Sequence, residues 1–150
     1  MNRFSCIAVS LLLALFAAGT LGQTRPAQQP PTPAQRPGRQ IVATYFHGDV
    51  RCATCKKLEA YARDAVEKTF PAEIVSGTVA FKTVNVDRPE NEHFNQDYSL
   101  VTRSLVITEE LNGKVVRWTN LDKIWQLVRD EVAYKDYVVE GVRRYLDNRT

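Results

Sequence analysis

Apolar and polar positions alternate with different periods along this chain, and the switches between periods mark its elements. Gln40-Ile41-Val42-Ala43-Thr44-Tyr45-Phe46-His47 is β-branched and aromatic, the pattern of a buried strand. Gly48-Asp49-Val50-Arg51 reads as the turn that follows. From about Ala53 to Phe70, Leu58, Tyr61, Ala62, Ala65 and Val66 recur at three- and four-residue spacing, predicting an amphipathic helix. Pro71 and Ser76-Gly77 end or interrupt that region. Thr78 to Asp87 reads as a second strand, and Pro89 opens a short helix reaching about Tyr98. Ser104 to about Thr108 reads as a third strand. Asn112-Gly113 is a strong hairpin signal ahead of Lys114 to Trp118. A last helical region, capped by Thr119 or Asn120, carries Ile124, Leu127 and Val128 and then Val138, Val142, Tyr145 and Leu146. A break is expected near Ala133.

The order β-α-β-α-β-β-α predicts an α/β domain with a central four-stranded mixed sheet and helices on both faces. Helical crossovers join the first three strands, which predicts them parallel, and the hairpin adds an antiparallel edge strand. Residues 40–150 suit one compact domain with one core.

The N-terminus has a different pattern. Met1-Asn2-Arg3 is a short basic stretch, residues 4 to 18 are almost unbroken apolar, and small residues follow up to Gly22. This reads as an export signal over residues 1–22. An uncleaved membrane anchor is the alternative, but the run is short for a span of about 20 residues. Residues 23–39 are rich in Pro, Gln, Ala and Arg, without apolar periodicity, and read as a stiff linker. The expected location is exported, periplasmic or extracellular, with membrane tethering only if the signal is retained. Net charge is +3 with both signs interleaved, which argues against a nucleic-acid partner.

Cys52-Ala53-Thr54-Cys55 is the motif that carries chemistry. It follows the first strand and stands at the mouth of a helix, where unpaired N–H groups and the helix dipole favour a thiolate. Arg51 adds a cation beside Cys52, and His47 ends the strand. Such surroundings lower a thiol pKa from about 8.5 to about 3.5–7.5. Of three cysteines, Cys6 lies in the expected signal, leaving Cys52 and Cys55. A disulfide spanning two intervening residues constrains little chain, so redox work or metal binding explains the pair better than bracing.

Tyr45-Phe46-His47 leading to Arg51-Cys52-Ala53-Thr54-Cys55-Lys56, then Val84-Asn85-Val86-Asp87, then the Asn112-Gly113 hairpin, resembles the thioredoxin-like superfamily over residues 40–150. The resemblance implies that Cys52 is the nucleophile and Cys55 the resolving cysteine, with the Cys52–Cys55 disulfide as the redox group and no other cofactor. It implies partner protein thiols and disulfides, and a monomer. Arg51 stands where this family usually has Trp, and Arg103-Ser104 stands roughly where it has a cis-proline. No acidic residue lies in the first strand, where thioredoxins bury a proton acceptor.

The leading expectation is therefore an exported thiol–disulfide oxidoreductase. The alternative is a metallochaperone-like protein holding Cu(I) or Zn(II) on Cys52 and Cys55, with His47 or His93 as third ligand. A third reading is a binding module with a bracing disulfide. Trp118 and Trp125 are expected in hairpin or helix packing.

Overall fold

The computed structural model describes residues 38–147. The signal expected over 1–22 lies outside them, as does the linker expected over 23–39 apart from its last two residues. Of those two, Arg39 already belongs to the first strand.

The elements in chain order are β1 (Arg39–His47), α1 (Ala53–Thr69), α2 (Pro71–Ser76), β2 (Val79–Asn85), α3 (Phe94–Asp97), β3 (Ser104–Leu111), β4 (Lys114–Asn120), α4 (Ile124–Leu127) and α5 (Glu131–Leu146). The four strands form one mixed sheet in the order β2-β1-β3-β4. The α/β class, the element order and the mixed four-stranded sheet agree with the sequence reading. Pro71 does not simply end the first helix; at the first position of α2 it opens a second.

The polarity of β3 corrects an expectation. β1 and β2 are parallel, but β3 runs antiparallel to β1. His47 of β1 pairs with Asn85 where β2 ends, and Phe46 pairs with Ser104 where β3 begins. The chain therefore leaves β2 and enters β3 at the same end of the sheet. The link holds only a 3-10 turn at Pro89–Asn91 and four residues of α3. Four helical residues rise about 6 Å, whereas a nine-residue strand such as β1 spans about 30 Å. A helix that short cannot return the chain to the far end, so β3 folds back.

The hairpin forms as expected. Asn112 (φ 52°) and Gly113 (φ 78°) supply the two left-handed residues that a tight β3–β4 turn needs. The final helical region begins later than predicted. Thr119 and Asn120 finish β4, and Asp130 caps α5 by accepting the Ala133 N–H at 3.0 Å. The break thus falls at 128–130, ahead of Ala133.

One face of the sheet carries the larger core. Ile41, Ala43 and Tyr45 of β1, with Leu105 and Ile107 of β3, pack against buried residues of α1 and α5, among them Leu58, Val66 and Val138. On the opposite face Phe46 and Val106 meet Tyr98, with Phe94 and Leu100 around them. Phe46 lies 5.3 Å from the Phe94 ring and 5.5 Å from that of Tyr98. Both faces are covered, unequally. Fully burying a side chain such as Leu58 contributes about 1.5–3 kcal/mol, so α1 is anchored along its length. Among the described residues no helix is long and apolar enough to cross a membrane.

Arg39 ties the start of β1 to the end of α5. It pairs with Glu109 and donates to the carbonyls of Tyr145 and Leu146, while Arg117 of β4 closes on Glu109 at 2.9 Å. The hydrogen bond from Arg39, aided by the charges of Arg39 and Arg117, outweighs burial and holds the Glu109 carboxyl below the usual carboxylate range. A depressed folded value stabilises the fold above the unfolded-chain pKa, and that contribution vanishes as pH falls through the depressed value. Glu109→Gln should lower the urea midpoint at pH 7 and lose less further stability down to about pH 3 than the wild type. Equal acid losses in the two proteins would contradict this account.

Candidate active site

Cys52 ends the loop after β1 and caps α1. Its backbone is extended (φ −69°, ψ 163°), and its Sγ accepts the Cys55 N–H at 3.1 Å. The Cys52 carbonyl takes the first helical bond, from Lys56 N–H at 3.0 Å. A sulfur thus fills the place usually given to a Ser or Asp oxygen. Cys52 and Cys55 are joined in a disulfide with Cα atoms 5.1 Å apart. Cys52, Ala53 and Thr54 are exposed, whereas Cys55 is only 5% exposed. The first turn of α1 contains no acidic residue, so nothing in it opposes the positive end of the helix. The pair therefore joins an exposed residue to a buried one.

The loop carrying Cys52 is clamped from two sides. The end of β2 supplies Asn85, whose Nδ2 donates to Asp49 Oδ1 at 2.7 Å, and the residue Asp87 beyond it accepts the Asp49 N–H at 2.7 Å. From the approach to β3, Arg103 Nη2 donates to the Val50 carbonyl at 3.1 Å. Trp125 of α4 fixes Arg103 in turn, its indole N–H donating to the Arg103 carbonyl at 2.8 Å. Gly48 sits between the two jaws. Any Cβ there would lie 2.5 Å from Asp87 Oδ2 and 2.9 Å from Arg103 Nη2.

The residues singled out by sequence occupy different surroundings. The half-buried Arg51 guanidinium turns along α1 to pair with Glu59, which also meets Arg63 at 3.3 Å. His47 directs Nδ1 at the Gly48 carbonyl, 3.0 Å away, so that nitrogen carries the proton. It helps line a cavity of about 150 Å³ with Phe46, Gly48, Asp87 and Arg103. His93 precedes α3, its ring 4.1 Å from that of Phe94 and its Nε2 3.8 Å from Asp97. Among the described residues no three His, Cys, Asp or Glu side chains converge on a point. Two thiolates without a further donor fill half of a tetrahedral zinc site.

Three residues matter here that patterning left aside. Tyr45 is fully buried in β1, and its hydroxyl donates to the Cys55 carbonyl at 2.9 Å. Burial pushes the Tyr45 phenol up to about 12 against the pull of Arg51 and Arg103, so it stays a donor. Glu59 occupies Arg51, and Arg103 clamps the loop. The place of Arg103 ahead of the third strand was the one available signal.

No family model matches the chain, and no curated protein matches it. Among solved structures it is similar to oxidised thioredoxin from Plasmodium falciparum, 16% identical over 69% of this chain and 82% of that one, with a TM-score of 0.41. Thioredoxin from Fasciola hepatica is 22% identical over 61% and 81%, TM-score 0.36. Thioredoxin f2 from Chlamydomonas reinhardtii is 18% identical over 63% and 81%, TM-score 0.35. Strand order β2-β1-β3-β4, antiparallel β3 and a C-x-x-C disulfide opening α1 settle the architecture. It is the mixed four-stranded α/β architecture expected from the sequence, with β3 reversed.

Two side-chain contacts surround the Cys52 loop: Arg103, ahead of β3, braces Val50, and the Tyr45 hydroxyl holds the Cys55 carbonyl. Gly48→Ala should force both jaws apart and cost about 1–3 kcal/mol, read as a lower urea midpoint at unchanged m. A loss below about 0.5 kcal/mol would show that the clamp yields freely.

Proposed function

We propose that this chain is an exported thiol–disulfide oxidoreductase acting on cysteines of other proteins. The observation that carries the reading is the exposed residue Cys52 at the N-cap of α1, joined to a buried Cys55. The apolar run of residues 4 to 18 supports export. After signal cleavage the protein works as a monomer in the periplasm or outside the cell, without membrane insertion.

The exchange follows from the placement of the sulfurs. With the pair reduced, the Cys52 thiolate attacks one sulfur of a partner disulfide, and the partner's other sulfur leaves with the electron pair. A mixed disulfide remains. Cys55 then gives its proton to solvent and attacks Cys52 Sγ, which re-forms the internal disulfide and releases the second partner thiolate. The pair loses two electrons, and the partner gains two electrons and takes up two protons. The reverse sequence oxidises a partner dithiol. Because Cys55 is buried, only Cys52 can open the reaction in either direction.

Cys55→Ser, expressed in the native host, should accumulate a mixed disulfide through Cys52, and Cys52→Ser should abolish exchange. The reduced protein should alkylate at half its maximal rate at a pH clearly below about 8.5. Absence of any trapped partner, together with ordinary thiol titration, would remove the basis for this function.

A further inference from the structure

The cation that sequence places beside Cys52 is already engaged. Arg51 directs its guanidinium to one oxygen of Glu59, and Arg63 takes the other at 3.3 Å. The Glu59 side chain is only 16% exposed. Arg63 stacks on Phe81 of β2, 4.8 Å from the ring centroid, which fixes the far end of the network. Residues 55, 59 and 63 of α1 are four apart, so Glu59 and Arg63 follow the stripe that carries Cys55, and Arg51 meets it from the loop before the helix. A guanidinium bound to a carboxylate acts at a distance as a near-neutral pair, and partial burial keeps water from separating the two charges.

We infer that Glu59 is the counter-charge that restrains the acidity of Cys52 by occupying Arg51. This rests on the redox reading above and makes Glu59 a positioning residue, acting through Arg51 without touching the reacting sulfurs. Other charged or titratable groups surround the motif. Tyr45 comes from β1 and Arg103 from the approach to β3, and Lys56 and Lys57 are exposed on α1 with no ion pair among the described residues. Asp49 and Asp87 belong to the loop clamp. None of these pairs with Glu59. Without Glu59, Arg51 would present a full charge to the thiolate, favouring the reduced form and making the disulfide more oxidising.

The test uses the full chain with Glu59→Gln, Arg51→Met and the double variant. Iodoacetamide alkylation of Cys52 against pH is measured with Cys55→Ser as the common background. Equilibrium with reduced and oxidised glutathione is measured with both cysteines present. Glu59→Gln should lower the apparent thiol pKa by about half a unit, about threefold more thiolate below the midpoint, and shift the glutathione equilibrium toward the reduced protein. Arg51→Met should raise the pKa, and the double variant should match Arg51→Met. Glu59→Asp should restore the wild-type value, and Glu59→Ser carries the same expectation as Gln should the latter not fold. An unmoved pKa in Glu59→Gln, or additive shifts in the double variant, would overturn the inference. Loss of all exchange in the wild type would instead sink the redox reading, while the sign of the Glu59→Gln shift would still decide this one.

Discussion

A helix that begins on a cysteine must satisfy its first N–H groups with sulfur, and this requirement ties the fold to the chemistry. The Cys52 Sγ is a weak acceptor while bonded to Cys55, yet it is the one side-chain acceptor at the N-cap of α1. Released as a thiolate, the same atom becomes a charged acceptor facing the positive helix end, a stronger interaction. The helix terminus is therefore better satisfied in the reduced state. That preference can act on the sulfur only if α1 does not move. Leu58, Ala62 and Val66 bury its inner face, and Tyr134 of α5 donates to the Leu58 carbonyl at 2.8 Å.

The reversal of β3 does more than set sheet polarity. Because β3 enters the sheet where β1 ends, the residue preceding it is delivered to the C-x-x-C loop, and Arg103 reaches the Val50 carbonyl. A parallel third strand would have begun at the far end and left that side of the loop open. The site is thus assembled from three strand ends at one end of the sheet: the β1 exit, the β2 exit and the β3 entry. Two arginines arrive there with different fates, Arg51 bound to a carboxylate and Arg103 bound to backbone. Val50 and Val101, 78% and 96% exposed, lie beside these arginines in sequence.

What could be read from the sequence was local. The β-branched run of β1, the Asn112-Gly113 turn and the cysteine at a helix mouth each depend on neighbours within a few residues. Strand polarity was not readable, since it depends on which end of the sheet a link returns to and α3 leaves little periodic signal. The Arg51–Glu59 pair escaped for a similar reason. Helical pair rules count three and four residues, whereas Arg51 lies before α1 and spans eight. Ile124, Leu127 and Val128 and then Val138 and Val142 fit helical spacing on both sides of Arg129-Asp130-Glu131, which put the expected break near Ala133 and not at Asp130. The Tyr45 hydroxyl reads as part of an aromatic strand, because periodicity records that a residue is buried but not what its polar tip meets.

Tyr45 also limits how the second half of exchange can proceed. A phenol held at about 12 by burial cannot accept the Cys55 proton anywhere near neutral pH. Its hydroxyl is committed to the Cys55 carbonyl, so it orients Cys55 without serving as a base. Glu59 is likewise committed, charge-paired to Arg51 and Arg63. Under the exchange proposed above, solvent then takes the Cys55 proton once the mixed disulfide has opened the pair.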